Sequence, residues 1–108
     1  MAEKKPEIRA IIEAAASHFE VSIDELTDVK RQSPQHNQAR LTALFVASNA
    51  GYSNNDIAES MSYKSANTVS TKFNKAHSGY ATPMDDTHMT FRRDCKAVAR
   101  MVHVLLPE

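Results

Sequence analysis

Ile8, Ile11, Ile12, Ala15 and Phe19 stand three and four residues apart. That interval gathers apolar side chains on one side of an α-helix, whereas a half-buried strand needs an interval of two. It returns along the rest of the chain, each time behind a residue suited to capping a helix. Apolar–polar alternation over a strand's length does not occur. Two glycines and four prolines leave little material for a hairpin-rich β fold. The expectation is an all-α fold of five to six helices.

The first helix is predicted from about Pro6 to Phe19, with proline in its first turn. Ser22-Ile23-Asp24-Glu25 is a capping box that opens a short second helix including Ile23 and Leu26. Residues 28–36, DVKRQSPQH, are expected as a polar loop. A third helix is expected from near Asn37 to Ala50, with Leu41, Leu44 and Phe45 inward and Gly51 as a left-handed terminator. Ser53 caps a fourth helix that turns Ile57 and Met61 inward. After the turn Ser62-Tyr63-Lys64, Ser65 caps a fifth helix, about Ala66 to His77, with Ala66, Val69, Phe73 and Ala76 on its inner stripe. Residues 78–86 are expected as a loop. Thr87 would cap a last helix to about residue 106, whose inner seam is Phe91, Cys95, Val98, Val102 and Leu105.

A chain of 108 residues suits one domain. One cysteine, Cys95, cannot form an internal disulfide and suits a reducing compartment. No apolar run approaches the roughly 20 residues that span a bilayer, and the start MAEKKPE lacks a signal-peptide core. A cytoplasmic protein without membrane attachment is expected.

The formal net charge is zero, but it is unevenly placed. Residues 1–28 carry seven acids against three bases, residues 29–84 six bases against two acids, and residues 85–108 four of each. No acid occurs between Glu59 and Asp85. A cationic middle of this kind favours a polyanion partner. The fourth helix, the turn and the fifth helix there have the form of a helix-turn-helix, at about 53–77, in which the second helix enters the DNA major groove. The inner stripe of the fifth helix leaves Asn67, Thr68, Thr71, Lys72 and Lys75 on the other side. Amides and hydroxyls can read base edges while lysines reach phosphates. Free N–H groups at the helix start, beside Ser65, also suit a phosphate.

The order of these segments resembles DNA-binding domain IV of the bacterial replication initiator DnaA, in the Trp-repressor-like superfamily. The similar stretches are HFEVSIDEL (18–26), KR (30–31), ARLTALFV (39–46), SNNDIAESM (53–61) and KSANTVSTKFNKA (64–76). They correspond to the family's first-helix ending, its basic loop, its central helix, its brace helix and its recognition helix. The resemblance covers about residues 8–77. It implies a minor-groove contact from the 30–34 loop, a phosphate contact from Lys64, and a part in replication or transcription control. Small relatives standing alone fit a phage, a mobile element or an accessory regulator. The sequence departs from the family where its Asp-His-Thr signature is Ser65-Ala66-Asn67; Thr68 and Val69 match. Those departures imply a target other than the family's usual site, or weaker discrimination.

Lys30 and Arg31 are thus candidates for the backbone or minor groove, against simple solvation. Arg40 can reach a phosphate or pair with an acid such as Asp28. Asn67, Thr68 and Thr71 are the base-reading candidates, although Thr68 can bond its own helix backbone instead. Lys64, Lys72 and Lys75 are phosphate candidates. Arg92, Arg93, Lys96 and Arg100 on the last helix form either a solvated face or a second basic patch. The five histidines and Cys95 match no metal-ligand spacing, no nucleophile–base arrangement stands out, and no Gly-x-x-x-x-Gly-Lys-(Ser/Thr) occurs. No metal, nucleotide, cofactor or enzymatic activity is expected. The rival to a DNA-binding protein is a protein-interaction domain of the same fold, using the acidic first helix or the last helix to meet a replication or regulatory partner.

Overall fold

Serine hydroxyls decide where four of the helices begin. In the computed structural model, which describes residues 6–28, 30–31 and 33–106, six helices follow in order: α1 (Ile8–Phe19), α2 (Ile23–Leu26), α3 (Pro34–Asn49), α4 (Asn54–Ser60), α5 (Ala66–Ala81) and α6 (Asp86–Met101). Ser22, Ser33, Ser53 and Ser65 each accept a hydrogen bond from the backbone N–H three residues on, meeting a donor that the helix cannot satisfy itself. Glu25 completes the capping box of α2 by accepting from the Ser22 N–H at 3.2 Å. The described residues contain no strand, and none of their helices is long and apolar enough to cross a membrane.

The α3 helix is the axis of the fold and packs against each of the other five. Its residues 39–47 are buried except for half-exposed Leu41, as expected of a helix surrounded by its neighbours. Ile11, Ala15, Leu26, Ile57, Met61, Val69 and Val98 join it in the main core. A second cluster forms around Phe45, whose ring lies 4.7 Å from Tyr80, 5.7 Å from Phe73 and 5.8 Å from Phe91 between centroids. The Cα radius of gyration, 12.7 Å, is close to the roughly 13 Å of one compact domain of this length.

Gly51 takes φ +105°. The N–H of Tyr52 returns to the carbonyl of Ala47 at 3.2 Å and that of Gly51 to Ser48 at 3.1 Å, which closes α3 with a Schellman motif. Glu20, Ser62 and His103 occupy the left-handed region at the ends of α1, α4 and α6 without the freedom of glycine.

The first helix begins at Ile8 with Glu7 as its N-cap, so Pro6, expected in the first turn, precedes it; four further boundaries differ from the sequence expectation. First, α3 starts at Pro34 rather than near Asn37, because Ser33 caps it and proline fits its first turn. Second, α5 runs on to Ala81, so Gly79 and Tyr80 are helical. A Cβ on Gly79 would stand 3.0 Å from Cδ2 of His88, so glycine permits a close approach to α6 instead of marking a loop. Third, Asp85 rather than Thr87 caps α6, accepting from His88 N–H at 3.0 Å. Fourth, α6 ends at Met101, and Leu105, expected inward, is 93% exposed. The backbone reverses at His103 and returns Val104 and Leu106 to the core instead.

Candidate nucleic-acid interface

The polar side of α5 follows from what its other side must do. Val69 and Ala76 are buried against α3, and Phe73 packs beside them. At 100° per residue, Asn67, Thr71 and Lys75 then fall on the opposite side, and all three are exposed. Thr68 and Lys72 flank that row half-exposed, and Lys64 and Ser65 are exposed in the turn before it. The Ser65 hydroxyl caps the helix, accepting from the Thr68 N–H at 3.4 Å, and lies 3.4 Å from the Thr68 hydroxyl. Both hydroxyls are therefore engaged with each other and with the helix start. Asn74 and Ser78 are exposed too. Ser78 extends the row of Asn67 and Thr71 by two turns and was hidden from sequence reasoning by the shorter predicted helix.

The three lysines of this region, Lys64, Lys72 and Lys75, form no ion pair among the described residues. Lys72 is positioned without a carboxylate: its Nζ lies 5.7 Å from the centroid of the Tyr63 ring, a cation–π arrangement. Tyr63 is the residue that sequence reasoning missed. It packs against the main core, burial pushes its hydroxyl above the ordinary phenol value, and the charge of Arg40 pulls the other way.

Arg40 corrects the expectation of a phosphate contact. It is 3% exposed, and its guanidinium points inward to the chain between α2 and α3. One terminal nitrogen donates to the carbonyls of Leu26 at 3.2 Å and Asp28 at 3.0 Å. The other donates to the carbonyl of Arg31 and to Oδ1 of Asn37, the latter at 2.8 Å. Nor does it pair with the Asp28 carboxylate as anticipated; it holds that residue's backbone. Five donors in a rigid plane can gather several carbonyls in a way that an ammonium cannot. Arg40 is thus a buried clamp, and it leaves no donor on the surface for DNA.

The clamped segment carries Lys30 and Arg31, both exposed. Asp28 shapes it further, with its carboxylate accepting from Lys30 N–H at 3.1 Å and its carbonyl from Arg31 N–H at 3.0 Å. Arg31 lies between two acids, 3.7 Å from Glu25 Oε2 and 3.7 Å from Asp28 Oδ2. Such exposed pairs are weak, so a phosphate can compete for the guanidinium. Glu25 is also hydrogen-bonded by Ser22 N–H and by His36 Nε2 at 3.2 Å. These contacts, with Arg31 adding a smaller attraction, hold its carboxyl below the usual value. Gln32, inside the expected minor-groove loop, lies outside the described residues.

Two side chains link the halves of the candidate interface. Arg40 grips the 28–31 segment on one side, and Tyr63, which feels the Arg40 charge without a hydrogen bond to it among the described residues, carries Lys72 of α5 on the other. Lys75 and Thr71 continue outward along α5 with no such link. Elsewhere, Cys95 is buried, and burial pushes its thiol well above the ordinary range, which leaves it protonated and inert. No protein-family model matches this chain, and no curated protein matches it in sequence.

Proposed function

We propose that this protein binds duplex DNA through a helix-turn-helix made by α4, the turn 61–65 and α5. The observation that carries the reading is the outer row of α5. Asn67, Thr71 and Lys75 stand exposed on one side, with Lys64 at the turn and Lys72 on the flank, in a stretch without a single acid from Ser60 to Met84. A helix of this kind fits a major groove about 12 Å wide. Asn67 and Thr71 would meet base edges, and Lys64, Lys72 and Lys75 would meet phosphates. The 30–31 segment would reach the adjacent minor groove or backbone, with Arg31 exchanging its two carboxylates for phosphate. The protein would act as a binding protein in replication or transcription control, not as an enzyme.

Titration of a labelled random duplex tests the reading. Four to six phosphate contacts predict a log–log salt slope of about −4 to −5. Lys72→Ala and Arg31→Ala should weaken binding on every sequence, whereas Asn67→Ala should change the preference among sequences, because one good base contact discriminates by about 1–3 kcal/mol. Absence of binding at about 50 mM salt, where such contacts are strong, refutes it.

One observation favours the rival class, a protein-interaction domain of the same fold. Of the cations expected around the loop, Arg40 is buried and Arg31 is flanked by carboxylates. If that rival holds, random duplex leaves the amide resonances of residues 64–75 unmoved.

A further inference from the structure

The side of α6 turned away from the core is a second cationic surface. Arg93, Lys96 and Arg100 are exposed and Arg92 is half-exposed. With Met89 and Ala97 they line one shallow groove. The spacing explains the grouping: 93, 96 and 100 lie three and four apart, while Phe91, Cys95, Val98 and Ala99 turn into the core. None of the four cations has an ion pair among the described residues. The acids of the same helix lie outside this groove. Asp94 meets Nε2 of His18 at 2.9 Å, and Asp86 lines a separate depression with Gln38, Thr87, Thr90 and Asp94.

Arg92 adds order to this surface. Its guanidinium carbon lies 5.1 Å from the centroid of the Tyr80 ring, and its Nε is buried without an acceptor. Tyr80 is itself 1% exposed and packed on Phe45. The guanidinium is therefore supported on a rigid ring.

We propose that this face of α6 is a second, sequence-blind contact for the phosphate backbone of duplex DNA, separate from α5. Charge complementarity names the occupant. Arg93 to Arg100 spans about 10 Å at 1.5 Å per residue, and one DNA strand presents a phosphate every 3.4 Å or so along its axis. The face thus spans about three phosphates. Three of its four cations are arginines, whose planar forks match phosphate oxygens in pairs. The groove offers an apolar peptide only Met89 and Ala97. The inference takes its partner, duplex DNA, from the function proposed above, but uses different residues.

The test measures affinity of the full chain for a random duplex across a salt series. It compares Arg93→Ala/Lys96→Ala/Arg100→Ala with Lys72→Ala/Lys75→Ala and with Arg93→Lys/Arg100→Lys. The triple variant changes only exposed side chains, so its thermal melt should match the parent's. Its salt slope should shrink by about 2 to 3, from about −7 to the −4 to −5 supplied by α5 and the 30–31 segment, and its affinity near 0.1 M salt should fall about 10- to 100-fold. Sequence preference should stay unchanged, and the arginine-to-lysine variant should keep its slope. An unchanged slope in the triple variant overturns the inference while leaving the α5 proposal intact. Loss of binding in the triple variant with none in Lys72→Ala/Lys75→Ala supports the inference and removes the α5 proposal. If the triple variant loses affinity for poly-glutamate but keeps its duplex slope, the face serves an acidic protein and the inference fails.

Discussion

Replacing Arg40 by alanine should cost this protein about 3 to 4 kcal/mol of stability. Arg40 is 3% exposed, and its guanidinium donates to three backbone carbonyls, those of Leu26, Asp28 and Arg31, and to Asn37 Oδ1. A hydrogen bond to a charged group contributes about 1.5–3 kcal/mol, so four give about 6–12 kcal/mol gross. Keeping the cation out of water costs several kcal/mol, and alanine removes that cost. The Asp28 carbonyl keeps the Arg31 N–H, but the buried carbonyl of Leu26 loses the donor it has from the guanidinium. Against a total of about 5–15 kcal/mol for a domain of this size, the loss is large. Urea denaturation of Arg40→Ala, Arg40→Met and Arg40→Lys reads it directly. Methionine keeps the apolar stem without the donors, so it should fall within about 1 kcal/mol of alanine. Lysine restores the charge from a single point that cannot span residues 26 to 31, and should recover roughly half of the loss. A wild-type midpoint for Arg40→Ala would show that water replaces the guanidinium at no cost, and the clamp would then be no more than a packed side chain.

Thr42 is fully buried and its hydroxyl meets only the Cys95 thiol, short of an ordinary hydrogen bond, so Thr42→Val should raise stability by about 1 kcal/mol; a loss in chemical denaturation would show that the thiol satisfies the hydroxyl. Glu25 is held below its ordinary value of 4.5 by Ser22 first and His36 next. Its native interactions therefore stabilise fully above that pH and are lost as the pH falls through its lowered native value. In an acid titration, Glu25→Gln should flatten the fall in stability on that side of neutrality, and a curve identical to the parent's would refute the assignment.

The helical character, the number of segments and most of the core were legible in the chain, since each rests on neighbours within four residues. A serine hydroxyl reaches the N–H three positions on whatever the rest of the protein does, and this is why Ser22, Ser53 and Ser65 could be identified as caps. The outer row of α5 was legible for the same reason: once Val69 and Ala76 face inward, helical geometry sends Asn67, Thr71 and Lys75 outward. Ser33 and Asp85 act by the same local chemistry, but each lies in a segment expected as a loop, 28–36 and 78–86, where no helix start was expected. Proline is compatible with a first helical turn, however, and a helical glycine is favoured where another helix comes close.

The sequence by itself determined the helices, their polar and apolar sides and a cationic middle, because these depend on residue type and a fixed 3.6-residue period. Tertiary structure decided which cations remain available. Arg40 and Lys72 have the same formal charge in the sequence, yet one is buried among carbonyls from a segment 9 to 14 residues earlier, while the other rests on a tyrosine ring near solvent. It also decided that Gly79 lies within α5 and faces the ring of His88 on α6. Charge sets the attraction between a protein and a polyanion, but only packing determines which side chains keep their donors turned to water.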